Sequence, residues 1–218
     1  MTIPREQLHP PEVRASAGAP LASAKAATVL VHGRGDSANG ILGLATVVDA
    51  PEVAFLAPEA RYNVWYPHTF LAPPEQNEPW LSSALEAVDA VVRAAVDGGV
   101  PREKVVLLGF SQGACLVSEY AARQGGRFGG VVALSGGVIG DRVERGRYAG
   151  SLDGTPVFLG CSDVDPYIPV ERVHETAALF RELGAEVEER IYPGFAHSVN
   201  QDEVDWWQAL LDALTSGA

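Results

Sequence analysis

Short, uniformly apolar runs alternating with amphipathic stretches predict an α/β fold, a mostly parallel central sheet covered by helices on both faces. Three observations carry this. Ala27–Val31, Val53–Ala57, Lys104–Phe110, Val131–Leu134 and Thr155–Gly160 are nearly unbroken apolar segments of strand length. Longer stretches with apolar residues at helical spacing separate several of them. Gly- or Pro-rich punctuation stops nearly every run. The chain of 218 residues is 47% hydrophobic and 20% charged, a globular composition compatible with one domain over residues 1–218.

Residues 1–26 are weakly patterned and are expected to wrap the surface. The first strand, Ala27–Val31, stops at His32-Gly33-Arg34-Gly35. The second, Val53–Ala57, stops at Pro58. Residues 61–80 hold Tyr62, Trp65, Tyr66, Phe70 and Trp80 among Pro67, Pro73, Pro74 and Pro79. Prolines this dense exclude a regular helix or inner strand. An aromatic loop of this length suggests a wall over a site, although its rings could also simply pack on the core.

Leu81, Leu85, Val88, Val91, Val92 and Ala95 then predict a helix ended by Gly98-Gly99. Strand Lys104–Phe110 leads into a helix over Gln112–Arg123, ended by Gly125-Gly126. Strands Val131–Leu134 and Thr155–Gly160 follow. An amphipathic helix spans Val170–Leu183 with Gly184 after it. Val187–Tyr192, less uniformly apolar, predicts a strand near a sheet edge. A last helix runs from about Asp202 to Leu214.

In parallel sheets ligands gather at the carboxyl ends of the strands. There lies Gly109-Phe110-Ser111-Gln112-Gly113, a G-x-S-x-G pattern between a strand and a helix. The glycines permit close chain approach, and the helix amides favour negative charge beside Ser111. The plainer reading is a turn with a capping serine. A serine nucleophile needs a base, and where this turn carries one, an acid and then a histidine follow in chain order. His197, in the loop Pro193–Ser198, is the candidate base. His174, amid charged residues in a helix, reads as solvated. Asp165 is the candidate acid ahead of Asp163, which suits its own turn. The Gln112 N–H and an amide at Arg34 or its neighbour would serve a developing oxyanion. His32 reads as a loop-shaping residue.

A net charge of −12 argues against nucleic-acid or anionic-membrane partners. Cys115 and Cys161 are too few for a disulfide scaffold or a Cys-rich zinc site and read as buried and inert. No spacing suits a metal or a dinucleotide. The start has no secretory pattern, and no apolar run approaches the roughly 18 residues of a membrane span. A cytoplasmic protein is expected.

Together, Leu30-Val31-His32-Gly33-Arg34-Gly35-Asp36, Gly109–Ala114, Ala133-Leu134-Ser135-Gly136, Asp163–Pro169 and Gly194–Ser198 resemble the phospholipase/carboxylesterase family of α/β-hydrolases. That resemblance implies a Ser111–Asp165–His197 triad, an oxyanion hole from the Arg34 and Gln112 amides, and no cofactor. It implies hydrolysis of a small-molecule carboxylic ester or thioester. Arg34 stands where thioesterase members usually carry Leu. The Trp65-Tyr66-Pro67 stretch with Phe70 and Leu71 is similar to the bacterial carboxylesterase branch. Both imply short- to medium-chain esters, with lysophospholipids or acylated proteins as the alternative. Ile41, Trp65, Tyr66, Phe70 and Leu71 are the expected substrate-binding residues, and a homodimer is possible on this reading.

Overall fold

A computed structural model describes residues 8–216. Seven strands form one sheet: β1 (Ala15–Gly18), β2 (Ala26–Val31), β3 (Val53–Ala57), β4 (Val105–Phe110), β5 (Gly130–Leu134), β6 (Pro156–Ser162) and β7 (Glu186–Tyr192). The spatial order is β1-β3-β2-β4-β5-β6-β7. Only β1 runs antiparallel, pairing Ala15 with Ala57. The architecture is therefore the expected α/β one, with β7 at an edge.

The apolar runs are continuous because both faces of the sheet are covered. Successive residues alternate between two cores. Val29, Val31, Val105 and Leu107 face one cluster, shared with α2 (Trp80–Asp97), α3 (Gln112–Gln124) and α4 (Val170–Glu182). Leu30, Val106 and Leu108 face the other, closed by α1 (Ala38–Ile41) and α5 (Gln201–Thr215) through Ile41, Trp207 and Leu211.

Register sets where the loops emerge. Val31 pairs with Gly109, Phe110 with Leu134, Leu134 with Gly160, and Ser162 with Tyr192. The carboxyl ends of β2, β4, β5, β6 and β7 thus finish at one margin of the sheet. The loops that begin at His32, Ser111, Ser135, Asp163 and Pro193 leave from that margin together.

Two parts of the amino-terminal half differ from the sequence reading. The segment expected to wrap the surface contributes strand β1, and its Leu8 and His9 are only 1% and 2% exposed. A four-residue edge strand offers too short a pattern to recognise. Helix α1 and the 3₁₀ turn Leu42–Thr46 were likewise too short for a helical period to show. Ser37 starts α1, its Oγ accepting from the Gly40 N–H at 3.1 Å. No helix among the described residues is long and apolar enough to cross a membrane.

Candidate active site

Ser111 occupies the turn between β4 and α3 with φ 55° and ψ −119°. For a non-glycine residue that conformation costs on the order of 1–3 kcal/mol, and the surrounding chain must enforce it. The glycines of the motif make the turn possible. A Cβ on Gly109 would lie 2.3 Å from the Gly113 carbonyl oxygen, and one on Gly113 would lie 2.0 Å from that of Val31. Only glycine lets α3 begin against the end of β2. The Ser111 N–H donates to the Leu134 carbonyl at 2.9 Å, fixing the turn to β5.

Asp165 follows β6 in a turn that its own carboxylate organises. Oδ1 accepts from the amides of Tyr167 at 2.9 Å and Ile168 at 3.0 Å. Oδ2 accepts from His197 Nδ1 at 2.6 Å. The Asp165 side chain is fully buried. Burial pushes its pKa up, but the bonds from His197 and the two amides outweigh it and hold the carboxyl below its ordinary value. It is therefore the ionised, acceptor-only partner. That places the imidazole proton on Nδ1 and leaves Nε2 as an acceptor, 2.9 Å from Ser111 Oγ. The rings of Phe110 and Tyr167 flank the imidazole at centroid distances of 4.9 and 5.0 Å.

Ser111, Asp165 and His197 thus meet in one hydrogen-bonded chain. Asp163 turns elsewhere, accepting from the Gly194 amide at 2.7 Å. His174 is an exposed residue paired with Glu189. The Arg34 and Gln112 side chains both reach the aromatic loop, while neither main-chain N–H has an acceptor among the described residues.

The aromatic loop is sewn to the loop after β2. The Gly35 N–H donates to Asn63 O at 2.7 Å, and Trp65 Nε1 donates to His32 O at 2.9 Å. His32 is buried. Its Nε2 accepts from the Ala60 amide at 3.1 Å, so Nδ1–H donates to Gly33 O at 2.7 Å. Burial lowers its pKa and keeps it neutral, a loop-shaping role. His9 does the same from below. Its Nδ1 accepts from the Arg61 amide at 3.1 Å and its Nε2–H donates to Trp65 O at 2.9 Å.

The cleft before Ser111 holds about 600 Å³ and is lined by Arg34, Tyr66, Phe70, Phe110, Gln112, Cys115, Tyr167 and Ile168 among others. Of the expected substrate-binding residues, Tyr66 and Phe70 line it. Ile41, Trp65 and Leu71 do not. Ile41 packs under the opposite face of the sheet. Trp65 is fully buried, spent on His32 and His9. Leu71 rests against the core. The sequence reading missed Phe110, Cys115, Tyr167 and Ile168 as lining residues, although each lies within four positions of Ser111 or Asp165. Cys115 is buried as expected, its thiol pushed up to about 12 chiefly by burial, yet its side chain borders the cleft. Among the described residues no group of three or more His, Cys, Asp or Glu side chains is placed to hold a metal ion.

A model of the phospholipase/carboxylesterase family matches residues 16–215. The crystal structure of a phospholipase/carboxylesterase from Dyadobacter fermentans is 39% identical, covers 94% of this chain and 97% of its own, and superposes with a TM-score of 0.89. Acyl-protein thioesterase 1 of Debaryomyces hansenii is 28% identical over 89% of this chain and 92% of its own. A Bacillus cereus carboxylesterase, 21% identical over 92% of this chain and 93% of its own with a TM-score of 0.69, shares the fold. With the sheet order, the strand-to-helix turn and a match over nearly the whole chain in agreement, this protein belongs to the phospholipase/carboxylesterase family of α/β-hydrolases and is a hydrolase.

Proposed function

We propose that the protein is a serine carboxylesterase that hydrolyses short- to medium-chain esters through an acyl-enzyme intermediate. The observation that carries this reading is the chain Ser111 Oγ–His197 Nε2 at 2.9 Å and His197 Nδ1–Asp165 Oδ2 at 2.6 Å. Ser111 Oγ attacks the acyl carbon and its proton passes to His197 Nε2. Asp165 holds the imidazole in the accepting tautomer and stabilises the cation that forms. The tetrahedral oxyanion takes the main-chain N–H groups of Arg34 and Gln112. Collapse expels the alcohol, which leaves with the proton from His197. Water, activated by the same imidazole, then releases the acid and restores Ser111.

The cleft, at about 600 Å³, lies within the range usual for small-molecule sites and suits an ester substrate. A second reading is a thioesterase acting on acylated proteins, favoured by the name carried by several relatives of 26–30% identity. A series of p-nitrophenyl esters of increasing acyl length separates the two: the esterase reading expects turnover to peak at short or medium chains, the other at long ones. Ser111→Ala should lower ester hydrolysis about 10⁴-fold or more, with an unchanged circular dichroism spectrum. Near-native turnover by that variant would falsify the serine mechanism.

A further inference from the structure

Between Asn63 and Pro74 the chain forms neither helix nor strand, yet it supplies one wall of the cleft. Carbonyls outside regular structure still need donors. Here three consecutive carbonyls converge on one side chain. Arg34 Nη2 donates to Tyr66 O at 2.7 Å and His68 O at 3.0 Å, and lies 3.3 Å from Pro67 O. Gln112 holds the same stretch from another side. Its Oε1 accepts from the Trp65 N–H at 3.0 Å, and its Nε2 donates to Tyr66 O at 2.9 Å. The two residues assigned to the oxyanion through their main-chain amides therefore also position the wall through their side chains.

We propose that the Arg34 side chain is a specificity-determining residue, which fixes the 66–68 stretch as the acyl-side wall and limits the acyl length that reaches Ser111. This inference rests on the esterase reading above. Arg34 is an exposed residue, so water competes for its donors and its removal should alter the wall far more than the stability of the fold. Pro67 has no N–H with which to make a compensating bond. Without Arg34 the stretch keeps, among the described residues, only the Gln112 bonds and the His68 N–H bond to Asn77 Oδ1 at 2.9 Å, and the wall loosens: short acyl groups lose a surface shaped to hold them, and longer ones gain room.

The test compares wild type with Arg34→Met, which keeps an unbranched stem without donors, and Arg34→Lys, which keeps a cation. Two readouts are taken: kcat/KM for p-nitrophenyl octanoate relative to butyrate, and amide hydrogen exchange over residues 61–72. In Arg34→Met the octanoate-to-butyrate ratio should rise about fivefold or more and exchange across the loop should quicken, with Arg34→Lys intermediate in both. A smaller change in the ratio overturns the proposal even where both rates fall together, because that is the signature of a generally damaged site. Unchanged exchange overturns it as well. If wild type turns over no ester at all, the esterase reading fails, and the exchange experiment still decides the tether without turnover.

Discussion

At the scale of single residues, the imidazole between Ser111 and Asp165 depends on a tautomer. Asp165 Oδ2 accepts the Nδ1 proton at 2.6 Å, which leaves Nε2 free to receive a proton from the serine. Asp165→Asn would present an amide that can donate to Nδ1, favouring the opposite tautomer. We expect kcat for a short p-nitrophenyl ester to fall about 10⁴-fold while the protein stays folded. A loss of only a few-fold would mean that the carboxylate does little beyond filling space. The two amides on Asp165 Oδ1 belong to Tyr167 and Ile168, which also line the cleft, so the turn that sets the acid also shapes the substrate side.

At the scale of elements, the junction of β4 and α3 leaves no room for a side chain at Gly109 or Gly113. Gly113→Ala puts a methyl group 2.0 Å from the main-chain oxygen of Val31, where no side-chain rotation relieves it. The strand, the helix or the Ser111 turn must shift. Thermal unfolding should show a loss of about 3 kcal/mol or more, with activity reduced further. A variant as stable as wild type would show that α3 can slide away freely. This junction was legible in the sequence, because glycine at fixed spacing around a serine reports a steric requirement directly. Six strands and the four long helices were legible for a related reason: the patterning of apolar residues records burial. The N-terminal strand and α1 were not, since four residues cannot display a period. The wall residues were half legible. Composition marked the 61–80 loop as functional, but which ring faces the cleft depends on hydrogen bonds with His9 and His32, distant in sequence. Trp65 and Tyr66 are neighbours, yet Trp65 is consumed by the loop's own support and only Tyr66 lines the cavity.

Across the whole molecule, two buried titratable groups oppose one another. Burial lowers the His9 pKa to about 4 against 6.5. As pH falls through this window the unfolded chain takes up a proton that the folded one refuses, so stability declines toward acid by up to about 3 kcal/mol. Glu203 closes the capping box of α5 with Asn200, and burial raises its pKa to about 7 from 4.5. Over this interval the folded protein keeps a proton that the unfolded chain has released, so stability declines as pH rises, by a similar amount. The windows overlap and the signs differ. Glu203→Gln should make the melting temperature climb more steeply from pH 5 to 7 than in wild type. His9→Gln should make it climb less. Calorimetric scans at several pH values check both, and parallel curves for all three proteins would contradict the assignment.

The placement of β7 has a last consequence. As the outermost strand it leaves a row of main-chain donors and acceptors facing solvent, the feature through which sheets recruit neighbours into filaments. Its side chains include Glu186, Glu188, Glu189 and Arg190, with Arg190 held between Glu188 and Asp202. Another chain aligning there would have to strip water from these ions. At the opposite border β1 offers only four residues of template. A polypeptide with so apolar an interior is thereby guarded against fibrous association at both rims.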